Sequence, residues 1–170
     1  TVCTFYKFVA VEAPAALKTE LVALCGRHGI KGTILVAPEG INATISGSAE
    51  AIAAVLQWLR GDARFAGLVS KESFTGTQPF KRMKVRLKKE IVTLGAPEAD
   101  PSKQVGTYVA PGQWNDLISQ PGVLLLDTRN DYEVKIGTFK NAIDPDIKTF
   151  GQFRDYARTH LDPKRDRRVA

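Results

Sequence analysis

Residues 123–126 read Val, Leu, Leu, Leu, and Asp127 follows at once. An apolar run this short, bounded by turn formers, reads as a strand buried on both faces, which is the mark of a parallel sheet. In open α/β sheets ligand chemistry gathers beyond the carboxyl ends of such strands. The run delivers three charged side chains to that edge: Asp127, Arg129 two residues on, and Glu133 four after that. Two readings are open. The three charges form part of a site, or Asp127 and Arg129 make an ion pair that fixes the turn, since structural pairs also collect at strand ends.

The first part of the chain has a different rhythm. Residues 3–9 are rich in aromatic and β-branched types. Residues 14–28 read as a helix with Pro14 in its first turn and Leu17, Leu21, Leu24 and Cys25 on one stripe. Strands are expected at 33–37 and 42–46, joined by Pro38-Glu39-Gly40 in a hairpin-type connection. Ser48 can cap a second helix through Leu59, with Ile52, Val55, Leu56 and Leu59 inward. Further strands are expected at 68–74 and 83–89. The order strand, helix, strand, strand, helix, strand, strand predicts an α+β sandwich of ferredoxin-like, or acylphosphatase-like, type, with helices on one face of an antiparallel sheet.

Residues 95–102 are dense in Gly, Pro and Asp and nearly empty of core types, so a linker is expected at 96–105 between domains at 1–95 and 106–170. The second domain should hold a helix at about 111–119, the 123–127 strand, a helix at about 150–159 and the start of a strand at 168–170. Strands alternating with helices predict a parallel α/β sheet. About 70 residues is short for such a domain, which suggests an incomplete unit.

Composition narrows the class. Hydrophobic content of 44% and charged content of 25% are ordinary for a globular protein. No apolar run is long enough to span a bilayer, and no basic leader opens the chain, so a cytoplasmic location and no membrane partner are expected. Cys3 and Cys25 do not make a disulfide scaffold. Cys25 sits on an apolar stripe and is expected to be a buried structural thiol. His28 and His160 lack metal-ligand spacing, so no metal site is expected.

The formal net charge is +6, which favours anionic partners, nucleic acid first. Six of the nine residues at 81–89 are basic. On a strand, Met83, Val85 and Leu87 would face one side, and Arg82, Lys84, Arg86 and Lys88 the other. Such a ladder is a natural contact for a phosphate backbone, with Trp58, Phe74 and Phe80 as candidate stacking surfaces. A lysine-protected, solvated sheet edge is the competing reading. Glu39 and Asn42 flank Gly40. They either shape a tight turn or contact a substrate base.

Several separated motifs share one resemblance. They are Glu39-Gly40-Ile41-Asn42-Ala43-Thr44-Ile45-Ser46-Gly47, the basic run from Arg82 to Val92, Gly106-Thr107-Tyr108-Val109-Ala110-Pro111 and Asp127-Thr128-Arg129-Asn130-Asp131-Tyr132-Glu133-Val134. In this order they resemble the TrhO (YceA-like) family of bacterial rhodanese-domain proteins, over nearly the whole chain. The resemblance implies oxygen-dependent 5-hydroxylation of the wobble uridine of tRNA. It implies tRNA as partner, dioxygen as co-substrate and no evident cofactor. It also implies that residues 106–170 are the first part of a rhodanese-like domain. The family's nucleophilic cysteine follows a strand that reads like Val169-Ala170, so the catalytic cysteine is expected beyond Ala170 and this chain alone is expected to be inactive. Asp127, Arg129 and Glu133 would then support the active site, Arg129 holding both the loop and Glu133. A rhodanese-type sulfurtransferase would share every residue present here. A non-catalytic rhodanese-like interaction module is the third class.

Overall fold

The computed structural model describes residues 1–96, 99, 101, 105–162, 164 and 168–170. Most of the expected linker, at positions 97, 98, 100 and 102–104, lies outside the described residues. The chain divides into two compact units, Thr1–Val92 and Thr93–Ala170.

The first unit runs β1 (Val2–Phe8), α1 (Pro14–Arg27), β2 (Lys31–Ala37), β3 (Gly40–Ser46), α2 (Ala49–Gly61), β4 (Ser70–Ser73) and β5 (Met83–Leu87). Helix α1 starts with Pro at its first position, where the missing N–H costs nothing. Ser48 accepts a hydrogen bond from the Ala51 N–H at 3.1 Å and caps α2. The sheet order is β4-β1-β3-β2-β5. The first four strands pair antiparallel in the ferredoxin-like order. β5 corrects the expectation of a purely antiparallel sheet: it adds to the β2 edge in parallel, Ile34 beside Val85.

The chain reaches that edge from β4 on the opposite side. Four strand spacings are about 19 Å, and the nine residues 74–82 reach roughly 30 Å when extended, so the connection has slack. Gln78 in this connection bonds the Ser46 hydroxyl and ties it to the sheet end.

Cys3, Phe5, Ile34, Val36, Ile41, Ala43 and Ile45 line one sheet face, and Leu17, Leu21, Leu24 and Cys25 of α1 and Ile52, Val55, Leu56 and Leu59 of α2 close over it. Both helix stripes are those the sequence predicts. Val85 joins this core and Met83 packs against it, but Leu87 is 46% exposed rather than buried. It is the last residue of an edge strand, with a neighbour on one side only. Gly40 pairs with Phe8 at φ 147°, and a Cβ there would sit 2.1 Å from the Lys7 carbonyl oxygen. Only glycine allows this close approach.

The second unit holds α3 (Pro111–Ile118), α4 (Asp131–Ile136), a 3-10 turn (Phe150–Gln152) and α5 (Phe153–His160). Its extended segments meet as parallel bridges, Leu124 with Val169 and Leu126 with Ile143. The Leu124 N–H donates to the Arg168 carbonyl and the Ala170 N–H to that of Leu124, both at 2.9 Å. On the other side the Ile143 N–H donates to Leu125 at 2.9 Å and the Asp127 N–H to Ile143 at 3.0 Å. Leu125, Leu126 and Ile147 are buried. The apolar run is thus central and parallel, as its composition requires. Helix α4 and the Ile143 segment are additions to the expected elements.

Candidate functional site

In the second unit Asp127 ends the central segment and is 7% exposed. Arg129 doubles back on it. Its Nε–H donates to Oδ1 at 2.8 Å, its Nη2–H to Oδ2 at 2.5 Å, and its backbone N–H to Oδ1 at 3.2 Å. The Thr138 hydroxyl donates to Oδ2 at 2.8 Å. Chiefly the Arg129 guanidinium, with help from Thr138, holds the Asp127 carboxyl far below the usual carboxylate range. A carboxylate so held is an anchor and a poor proton carrier.

Arg129 Nη2 also donates to the Gly137 carbonyl at 2.7 Å, at the C-terminal end of α4. The Asp127–Arg129 pair therefore joins the strand end to the exit of α4. Glu133 departs from its expected place in the fork of Arg129. Its Oε2 accepts the Asn130 N–H at 3.2 Å, at the entry of the same helix. Glu133 is the third residue of α4, the spacing at which a glutamate reaches back to the N-cap. The Arg129 side chain is 46% exposed, and its Nη1 makes no hydrogen bond to a described residue. One edge of the guanidinium is thus buried in scaffold bonds, and the other is presented to solvent, where an anion can meet it.

In the first unit Arg82, Lys84, Arg86 and Lys88 fall on and beside the edge strand β5. Arg82, Arg86 and Lys88 are exposed and Lys84 is half-buried. None forms an ion pair with a described residue. The Gly32 N–H donates to the Arg82 carbonyl at 3.2 Å, which brings Arg82 beside Lys31. Lys31 thus extends the cationic strip inward, a neighbour that sequence spacing cannot show. Phe74 is 82% exposed, but Trp58 lies on the outer surface of α2, across the sheet from Lys84 and Arg86.

Glu39 and Asn42, read from the sequence as turn-shaping or substrate-contacting, both bond the backbone of a later segment. Glu39 Oε1 accepts the Ile91 N–H at 2.6 Å, and Asn42 Nδ2 donates to the Ile91 carbonyl at 3.2 Å. Together they clamp both backbone groups of one residue and draw the segment after β5 onto the sheet. Ile91 is 3% exposed. Cys3 and Cys25 are both fully buried. Burial pushes the Cys25 thiol up to about 11 and raises that of Cys3, so neither is poised as a nucleophile. Among the described residues no group of His, Cys, Asp and Glu could hold a metal ion. No helix among them is long and apolar enough to cross a membrane.

The strand order, the helix-lined face and the added parallel edge define an acylphosphatase-like α+β domain at the front of the chain. Residues 1–91 match the family model described as the UPF0176 acylphosphatase-like domain. The chain belongs to the UPF0176 family. Among solved structures it is similar to a bacterial light-regulated adenylyl cyclase, at 16% identity and a TM-score of 0.42, over 61% of this chain and 32% of that one. It is also similar to Klebsiella pneumoniae BlrP1 in a calcium and cyclic-di-GMP complex at pH 8.0, at 16% identity and a TM-score of 0.40, over 71% of this chain and 34% of that one. The chain thus spans about a third of each, and likeness at this level transfers no site.

Proposed function

We propose that this chain is part of a TrhO-like enzyme that hydroxylates the wobble uridine of tRNA at C5, with dioxygen as co-substrate, in the bacterial cytoplasm. Membership of the UPF0176 family supports the reading through residues 1–91, and the motifs of the second unit resemble those of TrhO-like proteins. The observation that carries the tRNA part is the row Arg82, Lys84, Arg86 and Lys88, four cations on one sheet edge with no ion-pair partner among the described residues. A line of cations without ion-pair partners among the described residues is the kind of surface that neutralises successive phosphates of a nucleic-acid backbone.

In this reading the first unit holds tRNA, and the second supplies Arg129 to the reaction centre. The Asp127 carboxylate fixes the guanidinium, and its solvent edge positions an anionic group there. The nucleophilic cysteine is neither Cys3 nor Cys25, both buried away from solvent. The test is complementation of a strain lacking the parent gene with the full-length gene carrying Arg82, Lys84, Arg86 and Lys88 all changed to Gln. Mass spectrometry of digested tRNA should show 5-hydroxyuridine restored by the unaltered gene and lost with the variant. Full restoration by the variant would remove the basic edge from the function. A parent protein that instead moves sulfur from thiosulfate to cyanide and leaves 5-hydroxyuridine unchanged would replace this reading with sulfurtransferase chemistry.

A further inference from the structure

Both helices of the first unit pack on one face of the sheet, and no helix of that unit covers the other. On the helix-free face the pairing registers align Lys71, Thr4, Thr44, Thr33 and Lys84 in a single row across all five strands. Residues in register share a face, so three hydroxyls lie in line with a cation at each end. The next row holds Tyr6, Asn42, Leu35 and Arg86. Lys71 and Thr4 are exposed, while Thr44, Thr33 and Lys84 are half-buried. Tyr6 is 47% exposed, and its ring meets Phe8 edge-on at 6.1 Å. The Ile91 segment covers the Asn42 position of the second row and leaves the threonine row as the path from Lys84 to β1, and Gln78 closes the far end at Ser46. Between them the two rows contain no acidic residue.

We infer that this helix-free face binds an unpaired RNA segment, with phosphates along Lys84 and Arg86 and bases laid over the threonine row toward Tyr6. The inference rests on the RNA-binding reading above and specifies its substrate as a single strand. Three strand spacings, about 14 Å, separate β5 from β1, room for a backbone at the edge and bases inward of it. Hydroxyls both donate and accept, so the row meets any base edge without strong sequence preference. A tyrosine ring offers a stacking surface that every base can use. A duplex hides its base faces, so it could use only the cationic edge.

The experiment measures binding of the 170-residue chain to a labelled oligouridylate and to a blunt RNA duplex of equal phosphate count, over a salt series. Tyr6→Leu and Thr4→Asp should each weaken the single strand by about tenfold. Tyr6→Leu should leave the salt slope unchanged, because stacking releases no counterions. Tyr6→Phe should bind like the unaltered chain, and duplex binding should be indifferent to Tyr6→Leu. Circular dichroism monitors folding, and if Tyr6→Leu unfolds the chain, Thr4→Asp and Tyr6→Phe decide. Suppose Lys84→Gln weakens binding while Tyr6→Leu and Thr4→Asp do not. Then RNA touches the edge alone, and this inference fails while the RNA-binding reading stands. If the unaltered chain binds neither probe, both fail.

Discussion

Arg129 grips both carboxylate oxygens of Asp127, by Nε at 2.8 Å and by Nη2 at 2.5 Å. The same Nη2 reaches the Gly137 carbonyl, so one planar fork serves as both ion-pair partner and splint for the end of α4. Lysine cannot reproduce this, because a point charge on a flexible stem lacks the second parallel donor.

The first prediction concerns pH. The Asp127 carboxyl is held low in the folded chain, so its contribution to stability is fully present above the unfolded value of about 3.9. It is lost as pH falls toward the folded value. Asp127→Ala leaves the Thr138 hydroxyl and the Arg129 donors without their acceptor, at a cost of about 1–3 kcal/mol. Urea unfolding followed by Trp114 fluorescence, in a Trp58→Phe background, should show this gap steady from pH 5 to 7 and closing below about pH 4. A gap that does not change with pH would mean that the carboxylate charge is not what the site uses.

The clamp on Ile91 gives a second prediction. Asn42→Ala removes one neutral hydrogen bond and should destabilise the first unit by about 1 kcal/mol. Glu39→Ala removes a charge-assisted one and should cost about 1.5–3 kcal/mol. The double variant should lose less than the sum, since either change releases the same residue. Urea midpoints read through Trp58 test this. Losses below about 0.5 kcal/mol, typical of an indifferent surface site, would show that the clamp is not stabilising.

Gly40→Ala is the third. The alanine would meet the Lys7 carbonyl oxygen at 2.1 Å and carry φ 147°. Gly40 is held on both sides, by Phe8 at the end of the β1–β3 ladder and by Ala37 at the β2–β3 turn, so the contact is not easily relieved. A loss of more than about 2 kcal/mol is expected, by the same urea measurement. A variant as stable as the unaltered chain would contradict the β1–β3 register.

These sites show where sequence reasoning reached and where it stopped. The stripes of Leu17, Leu21, Leu24 and Cys25 and of Ile52, Val55, Leu56 and Leu59 were legible, because helical period alone fixes which side chains share a face. The central, parallel nature of the Leu125–Leu126 stretch was legible from its two-sided apolarity. The Ile91 clamp was not, since it links residues 49 and 52 positions apart through backbone atoms that carry no sequence signal. Helix α4 is only six residues long, too short to show a periodic face. The available sign is the spacing of Asn130 and Glu133, a capping pair, but Glu133 reads from the sequence as a member of the site instead. The threonine row depends on strand order, which brings Lys71 and Lys84 to opposite ends of one line.

The thiols give a fourth prediction. Cys3 and Cys25 are fully buried, and burial raises both above the ordinary thiol value, Cys25 to about 11. At pH 8 the folded chain should therefore react with a disulfide reagent only as fast as it opens, and release two thiol equivalents once denatured. Rapid labelling of a folded sample would show that one of them is accessible, and would reopen the question of a nucleophile within these residues.

The basic edge carries the last prediction. Lys84 and Arg86 share the helix-free face in register with Thr33 and Leu35, away from the core that Val85 joins. Changing both to Gln should therefore leave the fold intact by circular dichroism. If both neutralise phosphates, each contributes roughly 0.9 to the slope of log affinity against log salt on a duplex and about 0.7 on a single strand. The double variant should bind tRNA more weakly and flatten that slope by between about one and two units. The weakening should be alike for tRNAs of different sequence, because phosphate contacts position a nucleic acid without reading it. Equal affinity and equal slope would make β5 a solvated edge that its lysines protect from pairing with another strand. The RNA-binding role would then have no support from the charges of this edge.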